Sequence, residues 1–267
     1  MKQALRAVAR LGVVALLGVT MGAVAASPAQ ADDGVFPQVV GGTRAALGEF
    51  PWVVRLSMGC GGALYTPTLI LTAAHCVGAT GRDTTITVVA GVVDLSSDDA
   101  VEARSVYVRR APGFRNEISG DDWALVKLDR ALDVPTLALT PGTRYDKGTF
   151  TVMGWGQTGE NNFAQQRKLR WVKVPYVDDG HCGDAYDEAD VEVVASDMIC
   201  AGDTERGKVD SCQGDSGGPM VRRDENGQWV QVGIVSWGIG CGRKTYPGVY
   251  TQVSKFRSAI AKAARSL

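Results

Sequence analysis

Histidine is scarce in this sequence: His75 and His181 are the only two in 267 residues. Any imidazole base must come from that pair, and no H-x-x-x-H or C-x-x-C spacing supplies the ligand set of a zinc site. Charge of one sign is lacking too. The 28 Lys and Arg residues against 29 Asp and Glu leave a net charge of −1, so no basic excess points to nucleic acid as a partner. No alternating β–α pattern suggests a parallel sheet. The long apolar run, residues 11–26, is short for a membrane span of about 20 residues, which argues against a membrane anchor.

That run follows Lys2, Arg6 and Arg10 and precedes Ala29-Gln30-Ala31, a small-x-small cleavage signal. Residues 1–31 are therefore expected to be a secretory signal peptide and the protein extracellular. Cysteine usage agrees. Cys60, Cys76, Cys182, Cys200, Cys212 and Cys241 all lie beyond the leader, and an even count in an exported chain implies disulfides, although spacing alone does not pair them.

The rest of the chain reads as β structure, with enough length for one large all-β unit or two small barrels. Short apolar or alternating runs, separated by turn residues, predict strands over 52–58, 68–72, 85–89, 101–108, 123–128, 150–153, 168–174, 219–222, 229–235 and 248–253. Asn226-Gly227 predicts a hairpin between the eighth and ninth of these. From Ser254 onward, Phe256, Ile260, Ala263 and Ala264 fall at helical spacing behind a serine cap, predicting a terminal amphipathic helix. A Pro- and Gly-containing stretch, 135–147, divides two strand-rich halves.

The most informative stretch is Asp210-Ser211-Cys212-Gln213-Gly214-Asp215-Ser216-Gly217-Gly218-Pro219. A serine hydroxyl is a weak nucleophile at neutral pH, so Ser216 needs a base beside it and donors aimed at the oxyanion it creates. The glycines let backbone N–H groups converge on one spot. Of the two candidate bases, His181 lies in the polar run 177–182, which reads as a solvated loop. His75 follows an apolar strand and sits next to Cys76, which would pin its backbone. A carboxylate must then orient the base. Asp121 and Asp122 are adjacent, strand alternation turns only one of them inward, and Asp121 reads as a solvated loop residue.

Gly-Asp-Ser-Gly-Gly-Pro around Ser216, Thr72-Ala73-Ala74-His75-Cys76, Asp122-Trp123-Ala124-Leu125 and Val39-Val40-Gly41-Gly42 together resemble the signatures of chymotrypsin-like serine proteases, trypsin type, and in detail those of a secreted actinomycete trypsin. The resemblance runs from Val39 to the C-terminus. It implies two six-stranded antiparallel barrels with the active site between them, and a catalytic trio of Ser216, His75 and Asp122. The N–H groups of Gly214 and Ser216 would be the oxyanion donors. The implied disulfides are Cys60–Cys76, Cys182–Cys200 and Cys212–Cys241. Asp210 would lie at the base of the primary specificity pocket and select Arg or Lys at P1. Gly238 and Gly248 would keep that pocket open, and Ser211, Gln213 and Tyr250 would border the substrate. Ser236 would donate to Asp122, while the backbone of Trp237 and Gly238 pairs with the substrate as an added strand.

Residues 32–38 would be a propeptide whose removal frees the Val39 ammonium to pair with Asp215. Gln38 departs from the animal zymogens, which carry Lys or Arg there, so efficient self-maturation is not expected. No cofactor is expected either: Val92 stands where the first ligand of the animal calcium loop would be. The implied partners are protein and peptide substrates and protein inhibitors, with neither nucleic acid nor membrane, and the protein is expected to be a monomer. Two competing readings are a catalytically silent homologue that only binds proteins, and an esterase using the same machinery.

Overall fold

Strand pairing accounts for most of the regular structure in the computed structural model, which describes residues 40–162 and 164–267. The stretches expected to be a leader and a propeptide, together with Val39, lie outside the described residues. After a two-residue strand β1 (Thr43–Arg44), the first half of the chain forms β2 (Val53–Leu56), β3 (Gly61–Thr66), β4 (Leu69–Thr72), β5 (Thr87–Ala90), β6 (Val101–Arg110) and β7 (Ala124–Leu128). These six close into an antiparallel barrel in the order β2-β3-β4-β7-β6-β5. Its interior is lined by Leu56, Leu64, Ile70, Val88 and Val126, all buried, each contributing about 1.5–3 kcal/mol by leaving water.

The second half begins with the short β8 (Ala138–Leu139), then β9 (Thr149–Gly154) and β10 (Arg170–Val177). A helix, α1 (Asp179–Asp187), precedes β11 (Met198–Ala201), β12 (Pro219–Arg223), β13 (Trp229–Trp237) and β14 (Gly248–Gln252). β10, β11, β14, β13, β12 and β9 pair in sequence, and β9 pairs back onto β10, which closes a second antiparallel barrel. The chain ends in α2 (Val253–Ala264), whose Val253, Phe256 and Ile260 pack against Leu71, Trp123 and Leu125 of the first half and Ile234 of the second. Three disulfides join Cys60 to Cys76, Cys182 to Cys200 and Cys212 to Cys241. Among the described residues no helix is long and apolar enough to cross a membrane.

All ten predicted strands are present with shifted ends, and the Asn226-Gly227 turn is there with Gly227 at φ +73°. Several details differ from expectation. β3 and β11 were not predicted. The run around His181 is not a loop but the first turn of α1, capped by the Asp178 side chain accepting from the His181 N–H at 3.1 Å, although His181 remains exposed. α2 starts at Val253, and Ser254 is not its cap: the Ser254 hydroxyl instead donates to Asp146 at 2.6 Å.

Candidate active site

Strand register decides which loop residues meet. β4 pairs with β7 so that Thr72 faces Ala124, which sets the residues just after one strand beside those just before the other. His75 lies in that place, in a single 3-10 turn (Ala74–Cys76) following β4, and Asp122 stands two residues before β7 begins. Likewise β12 pairs with β13, Pro219 opposite Ile234, bringing the loop that carries Ser216 beside Ser236.

Asp122 is 1% exposed, and each of its carboxylate oxygens is taken. Oδ1 accepts from the His75 backbone N–H at 2.9 Å. Oδ2 lies 2.7 Å from His75 Nδ1 and accepts from the Ser236 hydroxyl at 2.6 Å. With a carboxylate as its partner, Nδ1 of the neutral ring carries the proton, leaving Nε2, which lies 3.6 Å from the Cys76 sulfur, unprotonated and able to accept one. Burial pulls the His75 imidazole down and Arg110 adds to that, but the hydrogen bond and charge of Asp122, with the charge of Glu117, outweigh both and raise it. Asp121 sits in the left-handed region at φ +54°, partly exposed. Both aspartates precede the strand, so the alternation expected to separate them is replaced by this turn.

Ser216 and His75 line one cavity of about 290 Å³. Among the described residues no hydrogen bond joins the hydroxyl to the imidazole, a common feature of sites without substrate. The Ser216 loop is shaped by glycine at two points. Gly214 adopts φ +95° and Gly217 φ +78°, where a Cβ on Gly217 would come within 2.2 Å of Thr72 Oγ1. The N–H groups of Gly214 and Ser216 have no hydrogen-bond partner among the described residues, so both stay available to a developing negative charge. Asp215 points away from the cavity. It is 2% exposed and accepts from the N–H groups of Gly156 and Cys212 at 2.8 and 2.9 Å, and burial pushes it up to about 6.

Asp210, 3% exposed, lines the same cavity. Its two oxygens accept from the Ser211 N–H at 2.8 Å and the Gly242 N–H at 3.0 Å, while burial pushes its carboxyl up to about 7. A Cβ on Gly248 would meet Asp210 Oδ1 at 2.5 Å, so glycine keeps that carboxylate clear. A Cβ on Gly238 would meet nothing closer than 3.6 Å and would only take up cavity space. Gln213, Ser236 and Trp237 also line the cavity. Tyr250 stands behind the wall and not on it: it is fully buried, its hydroxyl 3.2 Å from Ser211 Oγ and 3.5 Å from Asp210 Oδ1.

Glu117 and Gly240 border the cavity too, and nothing in their sequence surroundings marked them. Tyr186 of α1 donates to the Pro247 carbonyl at 2.5 Å and packs edge-on against Trp237, stiffening the wall from behind. Cys60, His75 and Cys76 come within 4.8 Å of one another, but both sulfurs are committed to their disulfide. Val92 is buried and apolar. A nucleophile, an oriented base and a buried carboxylate around one cavity, with unpartnered N–H groups on the loop that carries Ser216, can support acyl transfer from a substrate that presents a cation.

Comparison with known proteins agrees with that chemistry. The family model described as Trypsin matches residues 39–260, a span that takes in both barrels. A trypsin-like protease of Streptomyces glaucescens is 47% identical over 249 residues, covering 93% of this chain and 91% of that protein. Trypsin-1 of Astacus astacus is 37% identical over 233 residues, covering 81% and 95%. Trypsin II-P29 of Gallus gallus is 37% identical over 246 residues, covering 88% and 92%.

Proposed function

This chain belongs to the trypsin family and is a serine endopeptidase acting on protein substrates, and we propose that it cuts peptide bonds after arginine or lysine through Ser216, His75 and Asp122. The observation that carries the specificity is Asp210, a buried carboxylate lining the cavity that Ser216 and His75 also line. A P1 guanidinium or ammonium would satisfy that carboxylate, whereas an apolar side chain would leave it desolvated at a cost of about 2–5 kcal/mol.

In the proposed reaction the Ser216 oxygen attacks the scissile carbonyl while His75 Nε2 takes its proton. Asp122 holds the resulting imidazolium in place, and the N–H groups of Gly214 and Ser216 bind the oxyanion. The imidazolium then protonates the departing amine, leaving an acyl-enzyme. A water molecule, deprotonated by the same nitrogen, repeats the sequence and frees the acid. Nothing in these steps calls for a cofactor or metal.

The protein is proposed to be exported by its leader, to fold with three disulfides and to act as a monomer that protein inhibitors can occlude. Cleavage after Gln38 by another protease would release the Val39 ammonium to pair with Asp215. Support for that pairing is the full burial of a carboxylate whose hydrogen-bond donors among the described residues are two amides. Assaying arginyl against phenylalanyl amide and ester substrates, before and after inactivation by a serine-directed reagent, tests the whole reading. Arginyl amide hydrolysis abolished by the reagent is expected. Ester-only turnover, or no turnover with intact fold, would sink it.

A further inference from the structure

Arg55 has no part in the reaction just described. It lies on β2, whose Val54 and Leu56 are buried inside the first barrel, and alternation sends its side chain out of that interior. Across the molecule, Arg55 Nη1 donates to the carbonyl of Gly214 at 2.9 Å. Nη2 donates to Oε1 of Gln165, whose own amide reaches the Gly59 carbonyl at 3.4 Å. Burial draws the guanidinium down from its ordinary range, and the charge of Asp215 opposes that.

The geometry gives this contact a consequence. The Gly214 N–H lies in the peptide plane it shares with the Gln213 carbonyl, and with no side chain to restrict Gly214 that plane keeps its place only if the Cα is anchored from the other side as well. The plane before it is fixed by the Gln157 N–H donating to the Gln213 carbonyl at 2.7 Å. The plane after it is held at its N–H end, where Asp215 donates to Cys212 at 2.9 Å. Its carbonyl end is held by Arg55. Without Arg55 that carbonyl would have no charged donor among the described residues, and the Cα that carries the N–H plane could shift. We propose that Arg55 is a positioning residue that aims the Gly214 N–H at the oxyanion, bracing from the first barrel a donor that belongs to the second. The proposal rests on the acyl-transfer reading above.

Arg55→Met removes the charge and the donors while keeping most of the stem. Turnover of a P1-arginine peptide anilide should fall roughly 10- to 100-fold in kcat, the size expected for losing one hydrogen bond from a charged donor. A peptidyl argininal, whose adduct with Ser216 places an oxyanion in the same position, should bind more weakly by the same factor. Benzamidine, which needs only the Asp210 end of the cavity, should bind within about twofold of wild type, as should KM. Arg55→Lys, which can still donate to the Gly214 carbonyl, should recover part of the loss. It carries the same comparison alone should the methionine variant not fold.

Unchanged kcat and argininal affinity would overturn the proposal. So would a parallel weakening of argininal, benzamidine and thermal midpoint, which would mark a general loosening. Failure of the wild type to cleave arginyl substrates would count against the function and not against Arg55. In that event the rate of Ser216 labelling by a neutral fluorophosphonate, whose P=O takes the oxyanion position, decides the matter: slower labelling in Arg55→Met supports the brace and equal rates refute it.

Discussion

The Ser236 hydroxyl donates to Asp122 Oδ2 at 2.6 Å, and that same oxygen lies 2.7 Å from His75 Nδ1. One carboxylate oxygen therefore divides its charge between a group from the second barrel and the base of the first. Ser236→Ala returns that share to His75. The imidazole should become more basic, so the acid limb of kcat/KM should move to higher pH. The rate at the optimum should drop about tenfold, as for a lost hydrogen bond to a charged acceptor. A pH–rate profile of the variant that superimposes on the wild type would contradict this.

Glu117 works on the same ring from a distance. Its negative charge helps to raise His75, and only the neutral imidazole can take the Ser216 proton. On the proposed mechanism activity should therefore fall as pH drops through the His75 value, which lies above its ordinary 6.5. Glu117→Gln withdraws one source of that elevation, so the acid limb should shift to lower pH with little change at the plateau. The readout is kcat/KM between about pH 5 and 8, the range in which histidine titrates.

Asp210 makes cation binding depend on pH in the opposite region of the cavity. With burial pushing its carboxyl up to about 7, the empty site is partly protonated at neutral pH, and an amidinium must displace that proton. Benzamidine affinity should rise as pH climbs through 7, then level off, and calorimetry in two buffers should record proton release below that point. Asp210→Ser should abolish the dependence and lower kcat/KM on arginyl substrates by roughly 10²- to 10³-fold, the size of a lost buried charge pair. Its reaction with a small serine-directed reagent should persist.

Gly238 offers a purely steric test. Because a Cβ there meets nothing nearer than 3.6 Å, Gly238→Val should fold with a thermal midpoint close to that of wild type while its side chain occupies the cavity. KM for arginyl substrates should then rise at least tenfold, about 1.4 kcal/mol of lost binding, while labelling of Ser216 by a small fluorophosphonate changes little. Equal loss of both would mean that the substitution had disturbed the Ser216 loop itself.

Local chemistry explains which features the sequence disclosed. The β12–β13 hairpin was legible because Asn226-Gly227 supplies its own turn, and α2 because its apolar spacing is helical. α1 was hidden: Asp178, Asp179, Gly180 and His181 look like a loop, and only Cys182 and Tyr186 of the helix are buried. β3 was masked by its opening Gly61-Gly62, which carry no strand signature. The contacts there supply the reason for glycine: a Cβ on Gly62 would meet Ile70 Cγ2 at 2.7 Å. Around the cavity, Ser216, His75 and Asp210 announced themselves through motif. Glu117 and Arg55 did not, since both act through partners far off in sequence, and no local pattern encodes such a meeting. Asp122, and not Asp121, stands against His75, and a left-handed turn at Asp121 is found where strand alternation was expected.

Phe256 of α2 lies against Trp123, ring centroids 6.5 Å apart, and Trp123 is the residue immediately after Asp122. This helix is therefore a clasp on the peptide that carries Asp122. A chain without that helix would keep the groups that line the cavity and yet would leave Leu71, Trp123 and Leu125 uncovered. Support for that carboxylate thus comes from a helix that lines no part of the cavity.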